Sequence, residues 1–326
     1  MSEKYETIVP SEPDAGERLQ WVSWLRSAAP YVHLHHGRTF VISFAGEVVA
    51  DRTLLNHLVM DVSLIASMGM RVVLVHGSRP QIEELMGLRK LEGQFYKGVR
   101  ITGPQELECV KEACGETRFD IEAAFSQGLP NTPMQHSRIK VVSGNFVTAR
   151  PMGIIDGVDY LHTGVVRKVD AESIQDLLSR GNIVLVSPTG FSPTGEAFNL
   201  TTEDVATAIA VAIHADKLIL SVGVDGVRVR GEKQQDLTAQ QAQALIQGKQ
   251  VDDEDVYNLG YALRAIKGGV DRVHIVPYAM DGGILTELFT HDGVGTMIST
   301  ENMESLREAT IDDVAAIVKL LEPFED

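Results

Sequence analysis

Cysteine and tryptophan are nearly absent, with two of each among 326 residues. Cys109 and Cys114 fall on one expected helix at a spacing that fits neither a zinc site nor a disulfide framework, and they read as buried thiols of a reducing compartment. Positive charge is also short. Lys and Arg total 29 against 45 Asp and Glu, a formal net charge of −16. Nucleic acid and anionic membrane are repelled at long range, which excludes them as main partners. No apolar run approaches the ~18 residues of a membrane span, and the start Met1-Ser-Glu-Lys-Tyr-Glu-Thr lacks the basic and apolar regions of an export signal. A cytoplasmic protein is expected. With 44% hydrophobic and 23% charged residues, the chain can bury a sizeable core and suits one large α/β domain plus a small extra piece.

The run Arg71-Val-Val-Leu-Val-His-Gly-Ser-Arg-Pro-Gln-Ile-Glu-Glu-Leu-Met86 reads as a buried strand that ends in a small-residue turn and opens a helix. α/β proteins hold anions at such turns, where backbone N–H groups cradle a phosphate if no side chain intervenes. Here Ser78 and Arg79 follow Gly77 where a nucleotide loop would carry more glycine, so the turn keeps a binding fold but is spoiled for phosphate. Around it, strands are expected at Phe40–Ala45, Ile139–Val142, Ile183–Ser187, Lys217–Val222 and Arg272–Val276. Helices are expected at Thr53–Met68, Gln105–Gln127, Ala171–Arg180, Thr202–His214, Thr238–Gln247 and Val256–Lys267. The alternation implies parallel strands joined by crossover helices.

Between Gly144 and Lys168, glycine-marked turns predict a β-hairpin excursion of the kind that lids a site. Upstream, Leu19, Trp21, Val22, Trp24 and Leu25 predict a short helix over Asp14–Ala29 that Pro30 stops. Its aromatic face packs either on its own core or against another subunit. Beyond Met297-Ile-Ser-Thr300, Glu301–Ser305 is a polar joint. Leu306–Leu321 then reads as a strand and a helix with Asp312 near its N-terminus, either a tail or the opening of a further domain.

Four segments in order carry a resemblance: Ser27-Ala-Ala-Pro-Tyr31 before Thr39-Phe-Val-Ile42, Val73-Leu-Val-His-Gly-Ser-Arg-Pro-Gln-Ile82, Phe198-Asn-Leu-Thr-Thr-Glu-Asp204, and Glu287-Leu-Phe-Thr-His-Asp-Gly-Val-Gly-Thr-Met297. Together they resemble the amino-acid kinase fold and, within it, the regulatory domain of the bacterial N-acetylglutamate synthase family. Leu306-Arg-Glu-Ala-Thr-Ile-Asp-Asp-Val looks like the start of the GNAT-type acetyltransferase domain that follows there. The resemblance implies an αβα sandwich with a mainly parallel central sheet over 37–300. It also implies an N-terminal helical segment over 1–36 that builds a homo-oligomer, a hexamer in the family, and a linker with the truncated start of an acetyltransferase domain over 301–326. The parent would move acetyl from acetyl-coenzyme A to the amino group of glutamate, the first step of arginine biosynthesis, under feedback by L-arginine. This chain alone would carry no cofactor, no metal and no catalytic residue, acetyl-coenzyme A being a substrate of the full-length parent.

Set against the related N-acetylglutamate kinases, Ser43 stands where a first phosphate-binding lysine is expected and Asn258 where a second is. Glu203 replaces an organising aspartate, and Gly46, Gly77, Ser78 and Asn199 complete the degenerate kinase-site positions. Two missing cations should cost phosphoryl transfer orders of magnitude. An N-acetylglutamate kinase with altered cations is the alternative enzyme, and a stand-alone arginine sensor serving a separate acetyltransferase is a third reading. The same resemblance implies an arginine site in which Glu287 meets the guanidinium and Lys217 the carboxylate. Gly293 and Gly295 would give permissive backbone there, with His274 and Tyr31 placed by family position. On residue type alone, Lys217 reads as an exposed strand-start lysine, His274 as a satisfied core histidine and Glu287 as solvent-facing. Ser43 reads as a bonded strand serine and Arg79 as a solvated helix-start residue.

Overall fold

The computed structural model describes residues 15–127 and 139–300. The polar segment at the N-terminus and the strand and helix expected over 306–321 lie outside the described residues. The apolar runs become strands covered on both faces, as a parallel sheet with helices on each side requires. Thr39–Phe44 (β1) is buried at every residue and Arg71–His76 (β2) at all but its first. Val141–Ser143 (β3), Ile183–Val186 (β4), Lys217–Val222 (β5), Asp236–Thr238 (β6), Arg272–Pro277 (β7) and Thr296–Ser299 (β8) complete an eight-stranded sheet in the order β6-β8-β7-β5-β1-β2-β4-β3. Only β7 with β8 pairs antiparallel.

The helices are Ala15–His35 (α1), Gly46–Ala50 (α2), Arg52–Ser67 (α3), Arg79–Leu88 (α4), Pro104–Ser126 (α5), Ala171–Ser179 (α6), Thr202–Ala212 (α7), Ala239–Gln247 (α8), Asp253–Lys267 (α9) and Gly283–Phe289 (α10). Strand side chains alternate between two cores. Val41, Val73 and Leu218 pack with Val205 and Ile209 of α7 and with Leu259 and Ile266 of α9. Phe40, Ile42 and Leu74 pack with Val59 and Val62 of α3, Ile121 of α5 and Leu288 of α10. The result is the expected αβα sandwich. Cys109 and Cys114 are buried between α4 and α5, where burial pushes the Cys114 thiol up to about 12.

Pro30 does not stop the first helix; α1 runs through it to His35. The lost backbone hydrogen bond is outweighed by packing of the following turn. Ala28 is buried, Tyr31 and Val32 join the core, and the His35 ring stands edge-on to Phe40 and Phe289 while Nε2 bonds the Leu288 carbonyl at 3.0 Å. Trp24 and Leu25 remain exposed on this chain. No helix among the described residues is long and apolar enough to cross a membrane.

The excursion after Gly144 is present. Val147–Pro151 pairs antiparallel with Gly164–Val169, and Ile154–Ile155 with Val158–Asp159 at its tip. Three further hairpins were not expected, Gln94–Tyr96 with Val99–Ile101, Thr189–Phe191 with Ala197–Asn199, and Arg228–Val229 with Glu232–Lys233. The first turns at Lys97-Gly98 and the excursion at Asp156-Gly157, with positive φ at both residues of each turn, as two-residue hairpins demand. The two tips meet through Lys97 Nζ and Asp156 Oδ2 at 2.6 Å.

The C-terminal ends of the parallel strands gather on one edge, and the loops after β1 and β2 lie face to face there. Gly77 N–H donates to the Phe44 carbonyl at 2.7 Å, and a Cβ on Gly77 would stand 2.8 Å from Gly46 N. Since the obstacle is backbone, it cannot swing aside. Gly77→Ala is expected to destabilise the fold by about 1–3 kcal/mol in urea titrations, and an unchanged midpoint would show that the two loops are not in contact.

Candidate functional site

The loops at the C-terminal edge enclose a cleft of about 910 Å³ where the strand order reverses between β1 and β5, the position at which open α/β sheets bind ligands. Gly46, Gly77, Ser78, Asn199, Glu203 and Asn258 all line it. Ser43 does not; it is buried within β1 opposite Val75 and Leu220.

Ser78 does not obstruct the turn as expected. Its hydroxyl points inward, 3.2 Å from His76 Nδ1, while His76 Nε2 bonds Ser187 Oγ at 2.8 Å. The space above Gly46 is instead filled by Pro80 and Gln81, whose amide donates to the Gly46 carbonyl at 2.8 Å. Arg79 is largely exposed and pairs with Glu83. Asn199 donates to Thr102 Oγ1 at 3.0 Å. Glu203 opens α7 and accepts from the Tyr257 hydroxyl at 3.1 Å, and burial raises its carboxyl above the ordinary range. Asn258 is buried with its Nδ2 unpartnered.

A second constellation lies across β5, β7 and α10. Lys217 opens β5 yet is buried; its Nζ lies 3.1 Å from His274 Nε2, and His274 Nδ1 lies 2.7 Å from Glu287 Oε1. Glu287 Oε2 accepts the N–H groups of Val294 and Gly295 at 2.7 and 2.9 Å. Desolvation lowers His274 to about 4, with the Lys217 charge adding to it, and lowers Lys217 to about 8. Burial opposes ionisation of Glu287, but the bond from His274 and the two backbone N–H groups outweigh it and hold the carboxyl at about 2. The stable arrangement is therefore an ammonium, a neutral imidazole protonated on Nδ1 and a carboxylate.

The exposed readings of Lys217 and Glu287 are corrected by this geometry, whereas His274 is the satisfied core histidine that residue type suggested. Gly293 has φ +60° and carries no Cβ where one would stand 2.5 Å from Glu287 Oε2; Gly295 closes against the Ile275 carbonyl. The structure thus joins Lys217, His274, Glu287, Gly293 and Gly295. Tyr31 is not hydrogen-bonded to them and instead joins the apolar layer of Leu288 and Phe289. Residue pattern gave no hint of Asp61, which sits on the buried face of α3. Burial and nearby Asp281 raise its carboxyl to about 7, while a bond with the backbone of Leu285 ties it to the first turn of α10.

This edge cleft above a parallel αβα sandwich defines the class. The model of the amino acid kinase family matches residues 38–277, and the chain belongs to that family. Within it, an amino-acid acetyltransferase of Ralstonia nicotianae is 55% identical over 314 residues, covering 96% of this chain and 69% of the relative. N-acetylglutamate synthase from Neisseria gonorrhoeae complexed with coenzyme A and L-arginine superposes with a TM-score of 0.80 at 35% identity, over 93% of this chain and 71% of that one. Its complex with coenzyme A and N-acetyl-glutamate gives 0.79 at 35% identity, over 94% and 69%. The chain is a member of this bacterial N-acetylglutamate synthase group.

His76 is fully buried, and desolvation lowers its imidazole to about 4 from an ordinary 6.5. Between those values only the unfolded chain takes the proton, so this residue makes stability fall as pH falls through the window. Asp61, held high at about 7, contributes the opposite slope. His76→Asn isolates the first effect. The pH dependence of its unfolding free energy between pH 6.5 and 4 should be shallower than that of the wild type by about 1.4 kcal/mol per pH unit. Equal slopes would mean that His76 is not held neutral.

Proposed function

We propose that this chain is the arginine-sensing part of a glutamate N-acetyltransferase, an enzyme that transfers acetyl from acetyl-coenzyme A to the amino group of glutamate. The observation that carries the reading is the buried Lys217–His274–Glu287 chain beside the Gly293–Gly295 loop, in a protein 35% identical to a synthase crystallised with L-arginine. Arginine needs carboxylate or carbonyl acceptors for its guanidinium and a cation or N–H groups for its carboxylate. Glu287 has one free lone pair on Oε1, and the glycine backbone lets carbonyls approach closely. Lys217 supplies the cation. Tyr31 and His35 seat α1 on α10, so arginine in this pocket bears on the N-terminal helix. Residues 1–36 then serve assembly into a homo-oligomer, and residues 301–326 lead toward the catalytic domain of a cytoplasmic enzyme.

Calorimetric titration with arginine tests the assignment. Glu287→Gln should weaken binding by about 2 kcal/mol, or roughly 30-fold, because a buried charge loses its partner. Lys217→Met should weaken it comparably, and unchanged affinity in both variants would remove these residues from the pocket. The reading also expects no acyl phosphate from ATP and N-acetylglutamate, since Ser43 and Asn258 supply no positive charge to a transferring phosphoryl group. Robust turnover in a coupled hydroxamate assay would assign the chain to the kinases instead.

A further inference from the structure

The Arg228–Lys233 hairpin lies against the loop that holds Glu287. Its turn, Arg230-Gly231, has positive φ at both residues, the two-residue form that matches the twist of paired strands. Its base is stapled to the start of β8. Thr296, fully buried, accepts the Val227 N–H on Oγ1 at 2.8 Å and donates the same hydroxyl to the Gln234 carbonyl, and the Met297 N–H donates to the Gln235 carbonyl at 2.7 Å. From α9, Asp255 accepts the Arg228 N–H at 3.1 Å. A hairpin fixed on both strands delivers its last side chain to a defined place.

That side chain is Lys233. It is half-buried, has no ion pair among the described residues, and donates from Nζ to the Val294 carbonyl at 2.8 Å. The carbonyl belongs to the same peptide group as the Gly295 N–H, and in a trans peptide the two point opposite ways. At the far end that N–H donates to Glu287 Oε2 at 2.9 Å, beside the Val294 N–H at 2.7 Å. One peptide therefore lies between an ammonium and a carboxylate, each at the pole of the dipole that attracts it. Gly295 has no Cβ to resist rotation of this peptide, so the chain alone does not fix which pole faces Glu287. A flip would turn a carbonyl toward the carboxylate.

We propose that Lys233 is a positioning residue of the arginine site: by holding the Val294 carbonyl it fixes the Val294–Gly295 peptide with its N–H toward Glu287, and so keeps the carboxylate aimed at a guanidinium. Lys233 acts through Glu287 and needs no contact with the ligand. This role rests on the arginine reading above, whereas the direction of the peptide can be read without arginine.

Amide spectra of the chain with isotope labels on valine carbonyls and glycine nitrogens isolate two signals, since Val222-Gly223 and Val294-Gly295 are its only Val-Gly pairs. Lys233→Met should move the Gly295 amide proton upfield and leave Gly223 in place, which also shows the chain folded. In calorimetry the same variant should bind arginine about tenfold more weakly, the loss of one hydrogen bond from a charged group. Lys233→Arg should restore both the signal and most of the affinity. In a chain that already carries Glu287→Gln, Lys233→Met should cost less than about twofold, because two residues that act as a unit are not additive. A Gly295 signal unmoved in Lys233→Met, wild-type arginine affinity in that variant, or the full tenfold loss recurring beside Glu287→Gln would overturn the role of Lys233 and leave the arginine reading standing. No arginine binding by the wild type would sink that reading instead, and the role of Lys233 with it.

Discussion

A lysine ammonium buried at the start of β5 constrains much of what surrounds it. Because Lys217 Nζ donates to His274 Nε2, that nitrogen must carry the lone pair and the ring proton must sit on Nδ1, facing Glu287. The carboxylate then stays ionised and turns its second oxygen to the N–H groups of Val294 and Gly295, which fixes the path of the chain into β8. One buried charge thereby sets a tautomer, the orientation of α10 and the course of a loop. Deleting any member leaves an uncompensated charge or orphaned donors in the interior, the kind of break that costs about 3–5 kcal/mol.

The cleft obeys a different constraint. A parallel sheet with crossover helices brings helix N-termini to the edge where the strands end, so the fold tends toward anion binding. In this chain the tendency is cancelled from within, since α7 and α9 place acids in their first turns. Of the helices whose first turns line the cleft, α4 carries no acid there and opens with Arg79 instead. The cleft is divided between a basic wall, where Arg79 and Arg100 share Glu83 and Lys97 pairs with Asp156, and an acidic wall that carries Glu47, Glu203, Asp253 and Glu254.

The sheet was legible because strands covered on both faces read as unbroken apolar runs, and β5 was read from Lys217 to Val222 without error. Lys217 itself was not legible from residue type, since a lysine at a strand start is usually solvated and its partner lies 57 residues away. No local pattern encodes such a bond. Pro30 misled for a related reason: much of the packing that carries α1 past it comes from Leu288 and Phe289, distant in sequence. The short hairpins outside the excursion escaped because two or three residues cannot display a period, although Lys97-Gly98 and Arg230-Gly231 are turn signals that could have revealed two of them. That Ser78 turns its hydroxyl inward rather than over the turn was not legible, because the attraction of His76 beneath the turn is a matter of tertiary position.

Both constellations sit on the same two strands. Lys217 begins β5 and Gly223, just past its end, lines the cleft; His274 lies within β7, and Tyr278 after it lines the cleft while donating its N–H to the Val222 carbonyl. About 17 Å of hydrogen-bonded strand separates them. Both strands are packed on two faces, and close-packed interiors resist sliding, so a disturbance at Glu287 has little means of reaching the cleft through the sheet. α10 is held differently. It has 7 residues, and side chains secure it at Leu285 by Asp61, at Leu288 by His35 and at Glu287 by His274. Bonds of that kind can be exchanged one at a time, whereas a sheet must shift as a whole. The direction of least resistance from the Lys217 chain therefore runs through α10 to α1, away from the cleft and toward the N-terminal helix.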